Sequence, residues 1–363
     1  MKFNYWVMGL LLAAVLLSAY SHSLVFKEFM MPVYGNVGIH GAFIRELVEK
    51  GNYPLVDKYS YGGGIPNIYV PLYRMAVAEM VLLTGISIDF ASRLVVLLIS
   101  LLLPIAFFIL ARTLFKKQER FALIAGLAAA FFVSLSPELL IYTVRPLPQA
   151  MGMLLIPVIL FLVLKQLYFP VALFTFLLTM VHQESAFFLV LCCFAFGFFL
   201  LVKMFLSSLE KEEQRMLRAT FLCWFVGTAS YFVWNAAMTG HFNVFGTAQF
   251  TYHEGNSVSI GKIYSSIGTL SFAFSVIGLV TLFTGFALRL PEKIKKFFAV
   301  ETLPTVFLFS LLVVGIAAIK NDVLGINVFM DRFIVYLNEP LVLLAAFGFS
   351  KVITWLGFGE LDS

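Results

Sequence analysis

The stretch "RLVVLLISLLLPIAFFILARTLFKKQER", Arg93–Arg120, decides what kind of molecule this is. No charged side chain lies between Arg93 and Arg112, and Leu, Ile, Val and Phe dominate the interval. The run closes on Lys116, Lys117, Glu119 and Arg120. A helix rises 1.5 Å per residue, so about 20 apolar residues cross the roughly 30 Å of hydrocarbon in a bilayer. The uncharged centre fits that length, and the basic cluster fits the boundary where lipid gives way to water. Barrel strands would show segments of about 10 residues alternating apolar and polar, a pattern missing here.

The rest of the chain extends this reading. Of 363 residues 61% are hydrophobic and only 12% charged, with 41 Phe. No water-soluble fold buries that much apolar surface. Only helices and closed barrels satisfy their own backbone in lipid. The fold class is therefore all-α: a polytopic membrane helix bundle of about 10 spans. These fall at 5–26, 91–114, 121–137, 147–164, 167–182, 184–203, 219–238, 264–288, 299–319 and 332–351. One integral-membrane domain covers 1–363, with a long outer loop at 27–90, a bundle at 91–351 and no soluble domain. Alternation from a cytoplasmic N-terminus puts clusters such as "FKKQER" and "RLPEKIKK" inside, as short cytoplasmic loops prefer. A multi-pass protein of the cell membrane, with both termini cytoplasmic, is the expectation. The sequence pI near 9.0 follows from those loops, and no nucleic-acid partner is implied. The apolar run after "MK" is too long for a cleaved leader and reads as a retained anchor. Cys192, Cys193 and Cys223 sit inside apolar runs without metal-finger spacing and read as buried small hydrophobes.

The outer loop carries two helical patterns. In "VGIHGAFIRELVEKG" Ile39, Phe43, Leu47 and Val48 share one face, with His40, Glu46, Glu49 and Lys50 elsewhere and Gly51 as the stop. "YVPLYRMAVAEMVLLTG" is apolar, yet Arg74 and Glu79 make it a poor spanner and a better interfacial helix. Both are expected to lie on the outer membrane face.

Several polar groups gather on that face. "TMVHQESAFF" sets His182 and Glu184 deep in apolar context, where ionisable groups mark a site or a wetted helix end. On one continuous helix these two would point about 200° apart. A chain turn at the span boundary brings them together, as possible ligands for a divalent ion such as Mg or Mn. In "YTVRPLPQA" Pro146 and Pro148 forbid helix through Arg145 and present it from a stiff loop, as a phosphate fork or as a snorkelling cation. In "DRFIVYLNEPLVLL" Arg332 and Glu339 are two helical turns apart, so the carboxylate could hold the arginine. "YSYGGGIPN" (59–67) lacks the GK[ST] of a phosphate loop, and "HFNVFGTAQFTYHEGNSVSIGK" (241–262) reads as a polar outer loop. No HExxH, GxSxG, CxxC pair or GxGxxG occurs, which removes the common soluble chemistries.

An anchor helix, a long outer loop with two interfacial helices and a bundle with short inner loops together resemble the GT-C type polyprenyl-phosphate-sugar glycosyltransferases. "GNVGIHGAFIRELVEKGNYP", "YSYGGGIPNIYVPLYRMAVAEMVLLTG", "RPLPQAMGMLLIPVILF", "LLTMVHQESA" and "DRFIVYLNEPLVLLAAFGF" narrow the resemblance. They look most like the archaeal and bacterial membrane proteins labelled pyruvoyl-tetrahydropterin-synthase-related. The resemblance implies a sugar donor whose phosphate sits at the outer interface, with its lipid tail between helices. Arg332 and Arg145 would neutralise that phosphate. His40 or Glu28 would take the acceptor proton, and His182 and Glu184 would line the same pocket, with Glu184 as a further candidate base. Glu339 would support the cation. One departure stands out: the acidic residue that such proteins carry four before the histidine is Asn36 here. An amide cannot take a proton at neutral pH. The sequence therefore leaves three readings: a glycosyltransferase, a catalytically silent GT-C-like lipid-binding or scaffold subunit, and a small-molecule transporter.

Overall fold

The computed structural model describes residues 5–28, 36–59, 64–206, 208–240, 258–284, 302–326 and 330–358. Helix α1 (Tyr5–Glu28) covers the first apolar run. Then follow α2 (Val37–Lys50), a two-residue antiparallel pair β1 (Val56–Asp57) and β2 (Ile65–Pro66), and α3 (Leu72–Thr84). The bundle then runs α4 (Ile88–Leu114), α5 (Glu119–Leu135), the short α6 (Pro137–Thr143), α7 (Pro148–Leu164), α8 (Tyr168–Val181), α9 (Gln183–Leu206) and α10 (Lys211–Thr239). It closes with α11 (Ile260–Ile267), α12 (Thr269–Thr284), α13 (Thr302–Ile319) and α14 (Ile334–Ile353). The all-α membrane bundle expected from composition is what forms.

The span count differs from the sequence reading. Among the described residues five helices are long and apolar enough to cross a bilayer, or seven if two bent pairs each count as one span. Pro148–Leu164, Tyr168–Val181 and Leu303–Ile319 are shorter apolar helices. The bends have local causes. Ser136–Pro137 breaks α5 from α6 at 67°, and Gly268, with φ +86, turns α11 from α12 at 113°. Hydropathy reports apolar length and is blind to such breaks.

The expected turn at His182 is present. Tyr168 Oη donates to Arg215 O at 3.3 Å, and Thr175 Oγ1 lies 3.3 Å from Cys223 Sγ, so α8 runs parallel to α10. Gly197 backs onto Thr220 and Gly227 onto Val190, so α9 runs antiparallel to α10. Helices α8 and α9 therefore form a hairpin, with extended backbone at His182 (φ −155°, ψ 112°) as its turn.

Two ends of the bundle follow from this. At one end Lys116 pairs with Glu212, Lys203 Nζ donates to Glu213 Oε1 at 2.5 Å, and Lys351 lies 5.5 Å from the Phe121 ring. Glu210 and Glu213 close a reciprocal capping box that starts α10 there. This is the basic end that the charge pattern assigned to the cytoplasm. The hairpin turn at His182 lies at the opposite end.

Helix α14 is the axis of the bundle, buried on nearly every side, as a helix that is apolar all round must be. Two glycines let α12 cross it at backbone contact. A Cβ on Gly278 would come 2.3 Å from Leu344 O, and one on Gly348 would come 2.2 Å from Phe274 O. Close approach through small residues is how helices associate where the lipid is as apolar as their side chains. Helix α1 lies outside, with Tyr5 and Trp6 more than four-fifths exposed and only a stripe around Ala14 packed on Phe108 and Ala130.

Candidate active site

The segment between α1 and α4 builds one wall of the site. Helix α2 ends at Gly51, whose left-handed φ of +70° lets its N–H cap Leu47 O. Its buried face is Val37, His40, Phe43, Ile44, Glu46 and Leu47, packed on Tyr73 and Val77 of α3. This corrects the sequence reading, which left His40 and Glu46 off the apolar face. His40 is 2% exposed because a partner awaits it inside: Arg74 Nε donates to His40 Nδ1 at 3.0 Å. Arg74 is also 2% exposed, so it is an interior group and no surface charge. Its Nη1 donates to Tyr53 Oη at 3.1 Å and to Asn67 Oδ1 at 3.2 Å. Its guanidinium lies 3.9 Å from the Phe43 ring centroid and 4.7 Å from that of Tyr69. Asn67 in turn donates to Pro54 O at 2.8 Å, and Trp234 Nε1 of α10 donates to Ile68 O at 2.8 Å. These bonds tie the loop to the bundle. Burial and the Arg74 charge hold the His40 pKa well below the ordinary 6.5, so the ring is neutral.

The hairpin turn and the start of α14 form the other wall. His182 is 7% exposed. Its Nδ1 accepts from Ser185 N at 3.2 Å and lies 2.9 Å from Ser185 Oγ. Ser185 Oγ lies 3.1 Å from Tyr336 Oη, to which Gln149 Nε2 donates at 3.4 Å. Gly152 makes room for this contact, since a Cβ there would sit 2.2 Å from Ser185 Oγ. Arg332 Nη1 and Glu184 Oε1 stand 3.8 Å apart, the arginine about half exposed.

The two walls face each other. Helix α7 joins them: Ala150, Met151 and Leu154 pack with Ile44, Tyr73 and Val77, while a Cβ on Gly152 would lie 3.5 Å from His182 Cβ. Tyr142 of α6 feels both Arg145 and Arg332, with Arg145 stacked 5.1 Å from its ring. So His40, Arg145, His182, Glu184 and Arg332, scattered in sequence, collect at the end of the bundle away from the basic loops.

Asn36 and Glu339 do not join, and the expectation for Glu28 falls on a side chain outside what the structure describes. Asn36 is the exposed N-cap of α2, bonded to His40 only through its backbone O, which accepts from His40 N at 3.0 Å. Glu28 is the last residue of α1. Glu339 is buried at 3% exposure within α14, and its Oε1 has no hydrogen-bond partner among the described residues. The expectation that it holds Arg332 fails because α14 begins only at Ile334. Arg332 is thus not on that helix, and Glu184 pairs it instead. Residues 60–63 of the Gly-rich turn and 241–257, with His241, His253 and Glu254, lie outside the described residues.

The lone pair of His182 Nδ1 faces Ser185, Glu184 faces Arg332, and no group of three His, Cys, Asp or Glu clusters among the described residues. Sequence reasoning missed Arg74, Tyr69, Ser185 and Tyr336. A signal for Arg74 existed: it shares helical spacing with Val77 and Ala78, the inward stripe of α3.

Residues 4–357 match the profile of DUF6541, described as a family of unknown function. The chain belongs to that family. Comparison with curated protein sequences returned no match. Among solved structures, this member of DUF6541 is similar to the Archaeoglobus fulgidus oligosaccharyltransferase in its apo form, with a TM-score of 0.63 at 12% identity. That match covers 98% of this chain and 51% of the other. The same enzyme tethered to an acceptor peptide containing the NVT sequon gives 0.58 at 13% identity, covering 98% and 50%. ArnT from Cupriavidus metallidurans, bound to undecaprenyl phosphate, gives 0.55 at 17% identity, covering 96% and 60%. The fold resembles that of these solved structures, and the chain spans about half to three-fifths of their length.

Proposed function

We propose that this protein is a GT-C-like membrane glycosyltransferase that moves a sugar from a polyprenyl-phosphate donor to an acceptor hydroxyl at the outer membrane face. One observation carries the reading. The Arg332–Glu184 pair stands beside the His182 turn, at the end of the bundle away from the basic loops, and α7 links that turn to the helices that hold the buried His40–Arg74 pair. Arg332, with Arg145 near by, supplies positive charge where a lipid phosphate would leave. The acceptor oxygen attacks the anomeric carbon, the bond from that carbon to the phosphate oxygen breaks, and its electron pair departs with the phosphate. The acceptor proton goes to Glu184, whose carboxylate keeps free lone pairs at 3.8 Å from Arg332. His40 has no lone pair to offer as a base, because Arg74 engages its Nδ1 and leaves the ring proton on Nε2. No step is routed through a metal ion. The shared fold with ArnT, which was captured with undecaprenyl phosphate, supports the choice of carrier. The order of short motifs supports kinship with the pyruvoyl-tetrahydropterin-synthase-related membrane proteins.

Arg332→Ala tests the reading. It is expected to weaken polyprenyl-phosphate binding by about tenfold or more, the worth of one charge-assisted contact, in a protein that still folds and inserts. Unchanged binding would discard the model. Asn36 favours a second reading, a catalytically silent lipid-binding subunit, since an amide stands where such proteins carry a carboxylate. Incorporation of radiolabelled sugar into membranes separates the two: an enzyme gives label, a silent subunit gives none.

A further inference from the structure

We infer that His40 and His182 are a pair of fixed, uncharged hydrogen-bond donors that read the sugar oxygens of the ligand, each held in one tautomer by a donor that cannot titrate. The inference rests on the glycosyl-transfer reading above and assigns the sugar-contacting part of that site.

The geometry fixes the tautomers. A neutral imidazole carries one proton, on whichever nitrogen is not accepting. At His40 the Nδ1 faces the Nε–H of Arg74, 3.0 Å away, and a guanidinium has no lone pair to offer. At His182 the Nδ1 faces the backbone N–H of Ser185, 3.2 Å away, equally unable to accept. Both rings must therefore carry their proton on Nε2. No partner for either Nε2 exists among the described residues. The two donors belong to opposite walls of one site, joined by α7, whose Ala150 and Met151 pack with the His40 helix and its neighbour and whose Gly152 backs onto His182 and Ser185.

The surroundings keep both rings neutral. His40 faces Arg74 and Tyr73 of α3, Tyr69 before it, and His182. His182 faces Ser185 of α9, Tyr336 of α14 and the Arg332 charge. Protonating either ring would set N–H against N–H beside an existing cation. Neutral donors suit neutral oxygens. The phosphate already has Arg332, while a sugar ring offers hydroxyl and ring oxygens with lone pairs, and Glu184 can accept from its hydroxyls.

Asparagine substitutions isolate the effect. His40→Asn keeps an oxygen near the Nδ1 position to accept from Arg74, and His182→Asn keeps a good helix-capping acceptor for Ser185 N. Both delete the Nε2–H together with the distal edge of the ring. Binding would be measured with undecaprenyl phosphate and with undecaprenyl phosphate carrying glucose, mannose or galactose. The wild type is expected to prefer one sugar-bearing lipid. Each variant is expected to lose about tenfold for that lipid and nothing for the bare phosphate. Equal loss for both lipids, or no loss for either, overturns the inference while leaving glycosyl transfer standing. A wild type that binds none of these lipids sinks the glycosyl-transfer reading and takes the sugar assignment with it. Nitrogen NMR of labelled histidine side chains supplies a second readout: two rings protonated on Nε2 and silent from about pH 5 to 8. A proton on Nδ1 of either ring, or titration in that range, overturns the tautomer assignment whatever the lipids do.

Discussion

His40 shows how one side chain sets the pH response of its surroundings. Its folded pKa lies well below 6.5 because burial and Arg74 disfavour the charged ring. Once the chain unfolds, the ring takes up a proton as pH falls below about 6.5, and the folded state does not follow. The unfolded state then binds more protons, so stability is complete above that value and declines on acidification. The slope from this residue alone is at most about 1.4 kcal/mol per pH unit. The melting temperature in detergent is expected to fall between pH 6.5 and 5, and His40→Asn should shrink that fall. A melting curve with the same acid dependence in the variant would remove His40 from the explanation. Arg74 makes the complementary case. Its removal leaves His40 Nδ1 and Asn67 Oδ1 buried without their donor, each worth about 1–3 kcal/mol. Arg74→Met is expected to melt several degrees lower, and an unchanged melt would mean the site relaxes around the loss.

Elements obey rules that were legible in advance, except where two of them meet. Gly51 stops α2 and the chain turns at His182, both as the sequence indicates. Helix breaks at Ser136–Pro137 and Gly268, and the face by which α2 packs, were not legible. Apolar spacing on α2 allowed more than one inward face, and the choice fell to the face whose polar member finds Arg74. Contact between α12 and α14 is of the same kind. Gly348 looks like any glycine in an apolar run until Phe274 O is found where its Cβ would be. Gly348→Val should force the two helices apart and lower the yield of folded protein. Val at Gly9, where a Cβ meets nothing within 4 Å, should do neither. Equal yields from the two variants would show that the α12–α14 crossing is dispensable.

At the scale of the whole molecule, polarity along the bundle axis is the organising feature. Salt bridges of Lys116 and Lys203 mark one end, and His40, His182 and Arg332 mark the other. The three cysteines are buried, so a single new cysteine on the surface can be labelled against a quiet background. Cysteine at Lys58 and cysteine at Lys117 are expected to react with a membrane-impermeant reagent from opposite sides, Lys58 from outside. Reaction of both from the same side would contradict the topology and the outer-face reading of the site.

The sequence by itself determined that this chain is a helical membrane bundle with one basic end. Uninterrupted apolar length and the position of Lys and Arg are one-dimensional quantities, and the bilayer reads them directly. It also nominated most of the charged site residues, because an ionisable group in an apolar segment is conspicuous. Tertiary structure alone decided who partners whom: Arg74 with His40, Glu184 rather than Glu339 with Arg332, Ser185 with Tyr336. Those pairings join residues up to 151 positions apart. Their energies depend on angstrom distances and on burial, which exist only once the helices have packed.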